Sequence, residues 1–372
     1  MSIIETVLSI LAALLVFGVI ITVHEFGHFI TAKLFGVRVN EFSVGMGPKL
    51  FGWGKGETKY SLRALPIGGY CAMEGENGGE EEDPRAFYGK PKWQRGIILV
   101  AGAAMNLLLG FLVMFGLTVA RPLLSTTYVC DFAETAASNR PTDGGDALMP
   151  LDEILKVNNV STHVDMDLSF ALMTDEDGIV DITVRRDGEI VRLHNVSFNT
   201  TTEDGHTYTC IDFSLYGHDN ALTHLFDTKG ASVPKHIGNC FVSLGRTFRE
   251  TWYSVGSTVR MIWVSLFDMV TGKYSLKDLS GPVGTTSVIA EAARMSFDSL
   301  LLIAMFIMIN LGIMNLLPFP ALDGGRVALL LLEAVRGKPL KPETEGIINL
   351  IGFALLLGLI AVVTVSDILK FF

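Results

Sequence analysis

Four long runs of apolar residues divide the chain into membrane-length segments separated by polar stretches. The runs cover residues 6–33, 96–120, 299–322 and 346–366. A transmembrane helix needs about 20 predominantly apolar residues, so the pattern predicts about four transmembrane helices. The first run lacks the basic start and the small-residue cleavage site of a signal peptide, and we therefore expect a retained helix.

Short segments bounded by turn residues follow the first run. Residues 37–44 and 58–62 predict two strands, and a third strand is predicted after the turn at 66–70. We interpret them as a small antiparallel sheet associated with the membrane, because apolar strands at that place need shielding by protein or the interface. An exposed edge of this sheet could pair with an unwound peptide by strand addition. The alternative is a cytoplasmic hairpin without a substrate role.

Residues 127–215 have the strand and turn signals of a separate α+β domain, and about 90 residues suffice for its own core. Residues 179–193 predict a strand, a turn and a second strand. Residues 146–159 look like the part of a PDZ domain where a turn leads into a strand. Cys130 and Cys210 lie near the two ends of this domain, and whether they form a disulfide stays open.

Residues 239–270 have apolar positions at helical spacing, interrupted by Arg260 and Asp268, and predict an amphipathic helix. The helix could lie on the outer membrane surface or pack on the PDZ-like domain, and the pattern favours the membrane surface. The predicted organisation is an N-terminal membrane half (1–126), the inserted PDZ-like domain (127–215), a linker with the amphipathic helix (216–298) and a C-terminal membrane half (299–372).

Composition supports a membrane protein and excludes several other classes. The chain is 49% hydrophobic and 18% charged, which is too apolar for an ordinary soluble domain. The net charge of −10 without a basic cluster argues against nucleic acid as a partner. None of the four cysteines forms a CxxC pair, which argues against a cysteine zinc site or a thioredoxin-type motif.

The distribution of basic residues predicts the orientation in the bilayer. Residues 34–95 contain nine Lys and Arg residues, and four more lie between the last two apolar runs. The positive-inside rule therefore places these two loops in the cytoplasm, and both termini and the central segment outside. The alternative is that these charges only balance local acids such as those at 80–83.

The sequence His24-Glu25-Phe26-Gly27-His28 carries the chemistry of the chain. HExxH places two imidazoles one helical turn apart, where both can bind one metal ion, and Glu25 can take a proton from a metal-bound water. Ionisable groups at the end of a membrane helix are costly unless they have a function. A catalytic zinc site needs a third protein ligand.

Asp323 is the candidate third ligand. The first and third apolar runs are both predicted to cross from outside to inside, so Asp323 is expected at the same depth as the two histidines. Two imidazoles and one carboxylate leave a position for water. The alternative is that Asp323 is only the N-cap of the next helix. Asn106, in the second apolar run, by itself predicts an interhelical hydrogen bond.

HExxH, the segment from Asn315 to Asp323 with its following glycines and the PDZ-like stretch occur in an order that resembles the site-2 protease family of intramembrane zinc metalloproteases. The resemblance covers nearly the whole chain and is closest to the bacterial RseP-type branch. It implies a Zn²⁺ ion on His24, His28 and Asp323, and Glu25 as general base and acid. It also implies that the sheet at 37–73 clamps substrate as a strand.

The same resemblance implies that Asn315 orients substrate or stabilises the oxyanion and that Asn106 contributes near the site. The family usually has Gly-Pro where this chain has Gly102-Ala103, which puts the role of Asn106 in doubt. A longer stretch at 134–145 replaces the usual carboxylate-binding loop of the PDZ domain. Size exclusion is therefore the expected role of this domain, in preference to capture of a C-terminus.

The expected protein is a polytopic α-helical protein of the bacterial cell membrane with a membrane-associated β-hairpin sheet and one inserted extracytoplasmic PDZ-like α+β domain. The expected function is zinc-dependent cleavage of single-pass membrane proteins, such as anti-sigma factors or signal-peptide remnants, near the cytoplasmic side of the lipid bilayer. One alternative is a membrane-anchored PDZ adaptor with an inert or structural metal site. Another is a cation transporter, which the clustering of ionisable groups at one depth disfavours. Neither the substrate nor the oligomeric state follows from the sequence.

Overall fold

The computed structural model describes residues 3–76, 83–121, 123–141, 145–203, 206–219, 233–273, 280–338, 340 and 342–370. Two compact units are present. The first combines Met1–Val113 with Val264–Phe372, and the second is Met114–Trp263. The helices within the described residues are α1 (Ile3–Leu34), α2 (Lys92–Ala120), α3 (Asp165–Met173), α4 (Val233–Val270), α5 (Pro282–Met295), α6 (Phe297–Leu316), α7 (Asp323–Arg336) and α8 (Pro342–Lys370).

The prediction of about four membrane spans is confirmed at the level of helix length and composition. The segments that qualify are Ile10–Leu34, Lys92–Ala120, Phe297–Leu316 and Glu343–Leu369. Helix α6, the third membrane-length helix, ends at Leu316, earlier than the predicted residue 322. Leu317 is extended, and two prolines follow that cannot continue a helix. The short helix α7 then begins at Asp323.

A long β-hairpin follows α1 in the first unit. Strand β1 (Val39–Trp53) pairs with β2 (Lys59–Met73). The strand predicted at 58–62 and the strand predicted after 66–70 are both parts of β2. Positive φ angles at Gly45 and Gly47 bend β1, and a positive φ at Gly68 bends β2 within the turn predicted at 66–70. Because β2 folds back, residues 41–44 pair with 69–72 on one side and with 59–62 on the other.

The two ends of this hairpin differ in burial. Near α1, the side chains of Phe42, Cys71 and Met73 belong to a buried core together with residues of α1 and α2. At the far end, large apolar side chains are exposed, namely Met46, Leu50, Phe51, Trp53 and Leu65. Exposed apolar side chains at the end of a strand pair are typical of a surface that contacts lipid or another protein.

The second unit contains an antiparallel sheet in the order β10-β3-β4-β6-β7, with β5 paired to β4, and a separate hairpin of β8 and β9. The strands are β3 (Leu123–Phe132), β4 (Glu153–Val157), β5 (Val160–Ser161), β6 (Ile179–Arg186), β7 (Glu189–Ser197), β8 (Thr200–Glu203), β9 (His206–Thr209) and β10 (Phe213–Asp219). Helix α3 packs on this sheet, and its Leu168 and Leu172 join Ile154 and Ile182 in the core.

The hairpin predicted at 179–193 is confirmed as β6 and β7. Asp187 and Gly188 between the strands both have positive φ, as a tight two-residue hairpin turn requires. Cys130 and Cys210 are both free thiols, so the disulfide that the sequence left open is not formed in this structure.

Within the second unit, α4 packs on the α+β domain, which is one of the two placements that the sequence left open for this helix. Tyr253 stacks on His163 with ring centroids 4.1 Å apart, and Arg260 lies 3.5 Å from the carboxylate of Asp167. The helix buries polar side chains, including Thr247, Thr251, Ser254, Ser257 and Thr258. Hydroxyl groups can hydrogen-bond to helix carbonyls, so a polar helix face can pack on protein. Trp252 remains exposed.

Candidate metal centre

His24 and His28 lie on one face of α1, one helical turn apart. Their rings meet edge to face with centroids 4.9 Å apart, and their Nε2 atoms are separated by 3.3 Å. Both residues are buried. The HExxH spacing therefore produces the expected convergence of two imidazole nitrogens on one point.

Asp323 reaches this point through a tightly packed turn after α6. A Cβ atom on Gly324 would lie 2.3 Å from the carbonyl oxygen of Leu317, and one on Gly325 would lie 2.2 Å from that of Phe319. No other residue type fits at these two positions without moving the backbone. The N-cap of α7 is Leu322, so the alternative of Asp323 as a helix cap is wrong.

The carboxylate of Asp323 closes the group of donor atoms. Its Oδ2 lies 3.1 Å from Nε2 of His24 and 3.3 Å from Nε2 of His28. Oδ2 is buried and has no further partner among the residues that the structure describes. One ligand atom from each of the three side chains lies within 4.8 Å of the others. Two imidazoles and one carboxylate are the donor set of a catalytic zinc site with an open position, so the residues fit Zn²⁺.

Neighbouring groups fix the orientation of both imidazoles. His28 Nδ1 lies 2.8 Å from the carbonyl oxygen of Ile98, which makes Nδ1–H the donor and leaves Nε2 free for a metal. The side-chain amide of Asn315 lies 3.5 Å from His24 Nδ1. The structure thus places Asn315 beside an imidazole of the site.

Helix α2 approaches the histidines at Gly102. A Cβ atom there would lie 2.3 Å from His28 Nε2 and 2.8 Å from His24 Nε2, so only glycine leaves room for the imidazoles. The sequence did not single out this function of Gly102. One turn later, Asn106 is fully buried, and neither amide atom has a hydrogen-bond partner among the described residues. The interhelical hydrogen bond that the sequence predicted for Asn106 is therefore not found there.

A cavity of about 320 Å³ opens onto the three donor atoms. It is lined by His24, Glu25, His28, Tyr70, Cys71, Ala72, Met73, Glu76, Leu99, Asp323 and Arg326. A larger groove of about 530 Å³ between α1 and α2 contains no ionisable side chain in its lining. The chemistry therefore belongs to the smaller cavity.

Glu25 is a residue of α1, and its side chain lies next to β2, the second strand of the hairpin. A Cβ atom on Gly69 would lie 3.3 Å from Glu25 Cγ and 2.9 Å from the carbonyl oxygen of Ser43. Gly69 therefore allows β2 to pass close to the carboxylate. The sequence suggested only a turn at this glycine, because its contact with Glu25 depends on the way the hairpin folds onto α1.

Comparisons with known proteins agree with this site. The sequence pattern of peptidase family M50 matches residues 12–359. A protein of Clostridium acetobutylicum that is named as a zinc metalloprotease is 37% identical over 97% of this chain and 97% of its own length. The regulator of sigma-W protease RasP of Bacillus subtilis is 28% identical over 98% of this chain and 99% of its own length.

The family match covers more than half of the chain, and the relatives align along nearly their whole length. A zinc cofactor agrees with the donor set of two imidazoles and one carboxylate. The four membrane-length helices agree with a polytopic membrane enzyme. The chain belongs to peptidase family M50 and is a membrane zinc metalloendopeptidase of the site-2 protease type.

Proposed function

We propose that this enzyme cuts single-pass membrane proteins within or beside the bilayer, with zinc held by His24, His28 and Asp323 and with Glu25 as the general base. One observation carries the proposal. The three donor atoms and Glu25 share one cavity at the end of a membrane-length helix, beside an edge strand. Ionisable groups clustered in such a place are costly unless they have a function, and they therefore indicate a functional site.

Zinc held there would supply Lewis acidity to the scissile carbonyl and to the attacking water. Glu25 accepts the proton that this water loses as its oxygen bonds to the carbonyl carbon. The same carboxyl group then donates the proton to the amide nitrogen as the peptide bond breaks. The products are one new carboxyl end and one new amino end, and Glu25 returns to its ionised state.

The edge segment of β2 supports a role of the hairpin in binding substrate. Residues 69–73 pair with β1 on one side, and residues 70–73 line the catalytic cavity. A transmembrane helix satisfies its own backbone groups, so the cut region must first unwind. A strand added to this edge would replace the lost hydrogen bonds and hold the scissile peptide near Glu25.

The two asparagines are proposed to act beside the metal. Asn106 has a buried amide without a partner among the described residues, and a substrate carbonyl or amide would satisfy it. Asn315 lies next to His24 Nδ1, which supports a role in orienting that imidazole in addition to any contact with substrate or the oxyanion.

Several finer assignments follow the sequence expectations. The α+β domain is proposed to be a PDZ-like module outside the cytoplasm that excludes bulky substrates, and the catalytic cavity is placed toward the cytoplasmic side. One relative is named a regulator of sigma-W protease, which supports membrane-bound anti-sigma factors as a substrate class.

The catalytically inert PDZ adaptor is the rival hypothesis. It predicts partner binding without cleavage.

Co-expression with tagged single-pass membrane proteins tests the proposal. The wild-type chain should release fragments, and Glu25→Gln should release none, because the amide cannot accept the proton of the attacking water. The purified variant should keep its zinc, since Glu25 is not among the three donor residues. Fragments formed at the normal rate by Glu25→Gln would refute the assignment. Binding of the same proteins without cleavage by the wild type would favour the adaptor.

A further inference from the structure

A carboxylate beyond the end of β2 folds back over the catalytic cavity. Gly75 has a φ of 68°, which turns the chain sharply after the strand. Glu76 is thereby placed with its Oε2 3.4 Å from the backbone N–H of Met73, the last residue of β2. One oxygen of Glu76 therefore contacts the edge segment on which the proposed substrate strand would lie.

The other oxygen of Glu76 is bound by an arginine from the opposite wall. Arg326 lies one helical turn after Asp323 on α7, and its Nη1 donates a hydrogen bond of 2.5 Å to Glu76 Oε1. Both side chains line the catalytic cavity, and only 22% and 19% of their surfaces are exposed. Neither belongs to the group of metal donor atoms.

We propose that Glu76 and Arg326 form a clamp that sets the distance between the substrate-binding edge and the metal carboxylate. This inference rests on the proposed addition of a substrate strand to residues 70–73. The clamp connects the two walls close to the groups that it positions. Glu76 lies three residues after Met73 at the end of β2, and Arg326 lies three residues after Asp323 in α7. Both are positioning residues, since they act on the scissile peptide through the two walls that they connect.

The physical argument concerns what happens when one partner is lost. Removing Arg326 leaves the Glu76 carboxylate without its bound cation in the cavity, and removing Glu76 leaves Arg326 with the more distant Glu345 as its acidic neighbour. The remaining charge moves toward water, and the hairpin edge is no longer held against α7. A substrate strand pairs less well with a displaced edge, so KM should rise, whereas kcat should change less because the zinc-binding residues and Glu25 keep their positions.

Other ion pairs of the same unit provide a matched control. Glu57 near the start of β2 pairs with Lys33 of α1, with Nζ 2.8 Å from Oε1, and also with Arg85. This carboxylate likewise connects the hairpin region to a neighbouring element, but it is absent from the lining of the catalytic cavity. Glu57→Gln therefore removes an ion pair of the hairpin region, more exposed than that of Glu76 and Arg326, without changing the distance across the cavity.

The test uses the purified full-length enzyme loaded with zinc and a single-pass membrane substrate that the wild type cleaves. Glu76→Gln and Arg326→Gln should each raise KM on the order of 10-fold or more, with a smaller change in kcat and unchanged bound zinc. The double variant should be no worse than the poorer single variant, because the two residues act as one unit. Arg326→Lys should restore part of the loss, and Glu57→Gln should stay within about 2-fold of the wild type.

Ala72, a half-buried residue of the edge segment that lines the catalytic cavity, gives a second readout. In the Glu25→Gln background, with the native cysteines replaced, Ala72→Cys should form a disulfide under mild oxidation with a substrate that has one cysteine near its cut site. Adding Glu76→Gln should lower the yield of this crosslink, whereas adding Glu57→Gln should not. This readout follows the position of the substrate strand without requiring cleavage.

Two results would overturn the clamp while leaving the proposed function intact. One is normal KM and normal crosslinking in both single variants. The other is loss of zinc in parallel with activity, which would make the pair a support of the metal site. The proposed function, and the clamp with it, would instead be rejected if the wild type cleaved no single-pass protein and Ala72→Cys in the Glu25→Gln background crosslinked to none.

Discussion

Asp212, just before β10 in the second unit, and Asp323, the first residue of α7 in the first unit, are both shielded carboxylates, but their partners differ. Asp212 accepts hydrogen bonds from the backbone N–H groups of Ala137 and Ser138 at 2.8 and 3.0 Å and from the Ser138 hydroxyl at 2.5 Å. Among the described residues, Asp323 Oδ2 faces two imidazole nitrogens and has no other partner. Buried carboxylates normally have hydrogen-bond donors as partners. Asp212 has them and stabilises the fold, whereas the arrangement at Asp323 suits the binding of a cation.

Replacing Asp323 should have the largest effect on activity and little effect on folding. Asp323→Ala removes one of the three donor side chains, and the loss of cleavage should exceed about 100-fold, since even residues that only support a metal ligand cost 10–100-fold. Bound zinc, measured on the purified protein, should fall with activity, whereas the thermal unfolding of the metal-free protein should stay the same or improve. Retention of full zinc and activity by this variant would contradict the site.

Replacing Asp212 should have the opposite outcome. Asp212→Ala leaves two backbone N–H groups and one hydroxyl without their acceptor, which should destabilise the second unit by about 2 kcal/mol. Thermal unfolding and limited proteolysis of the purified full-length protein would show this loss. Zinc content measured below the unfolding transition should equal that of the wild type. A variant that loses zinc while remaining folded would remove the distinction between the two carboxylates.

Filling the space beside Glu25 should reduce activity less than replacing Asp323 does. The Cβ atom of Gly69→Ala would approach the carbonyl oxygen of Ser43 and Glu25 Cγ, so the strand or the carboxylate must shift. Cleavage should fall on the order of 10-fold with zinc retained, because a misplaced general base loses part of its effect. Gly56→Ala is the control, since a Cβ atom at Gly56 would meet nothing within 4 Å. Equal activity of the two variants would show that close packing at Gly69 does not position Glu25.

Features that repeat along the sequence could be predicted without the structure. Membrane-length apolar runs identify the four long helices, and HExxH identifies two donors on one face of α1. Asp323 needed one further argument, the common direction of the first and third spans, because sequence distance alone does not relate it to His28. The alternation at 179–193 similarly identified β6 and β7.

Features that depend on how elements meet could not be predicted. Gly102 and Gly69 are short of space only because α2 and β2 pass close to the catalytic side chains. Asn106 was expected to hydrogen-bond to a neighbouring helix. The pattern of apolar residues predicts the helix but not which groups of other elements face Asn106, so the absence of a partner among the described residues could not be foreseen. The packing of α4 on the α+β domain was left open for a related reason, since hydroxyl side chains suit a protein surface as well as water.

Glu250 on α4 is intermediate between the two aspartates and gives the smallest predicted effect. Its Oε1 accepts hydrogen bonds from the hydroxyl and the backbone N–H of Ser125, and Arg121 lies 3.7 Å away. Even so, burial raises the pKa of Glu250 above its ordinary value. The folded protein therefore binds a proton at Glu250 more tightly than the unfolded chain does.

By linkage, the contribution of Glu250 to stability is greatest at low pH and is lost as pH rises from the ordinary glutamate pKa through the raised value. Glu250→Gln can retain the Ser125 contacts but does not titrate. The difference in stability between variant and wild type should therefore shift in favour of the variant as the pH rises from 4 to 8. Thermal unfolding of both full-length proteins across this range measures the difference. A constant difference would mean that the hydrogen bonds from Ser125 satisfy Glu250 as fully as the three donors satisfy Asp212.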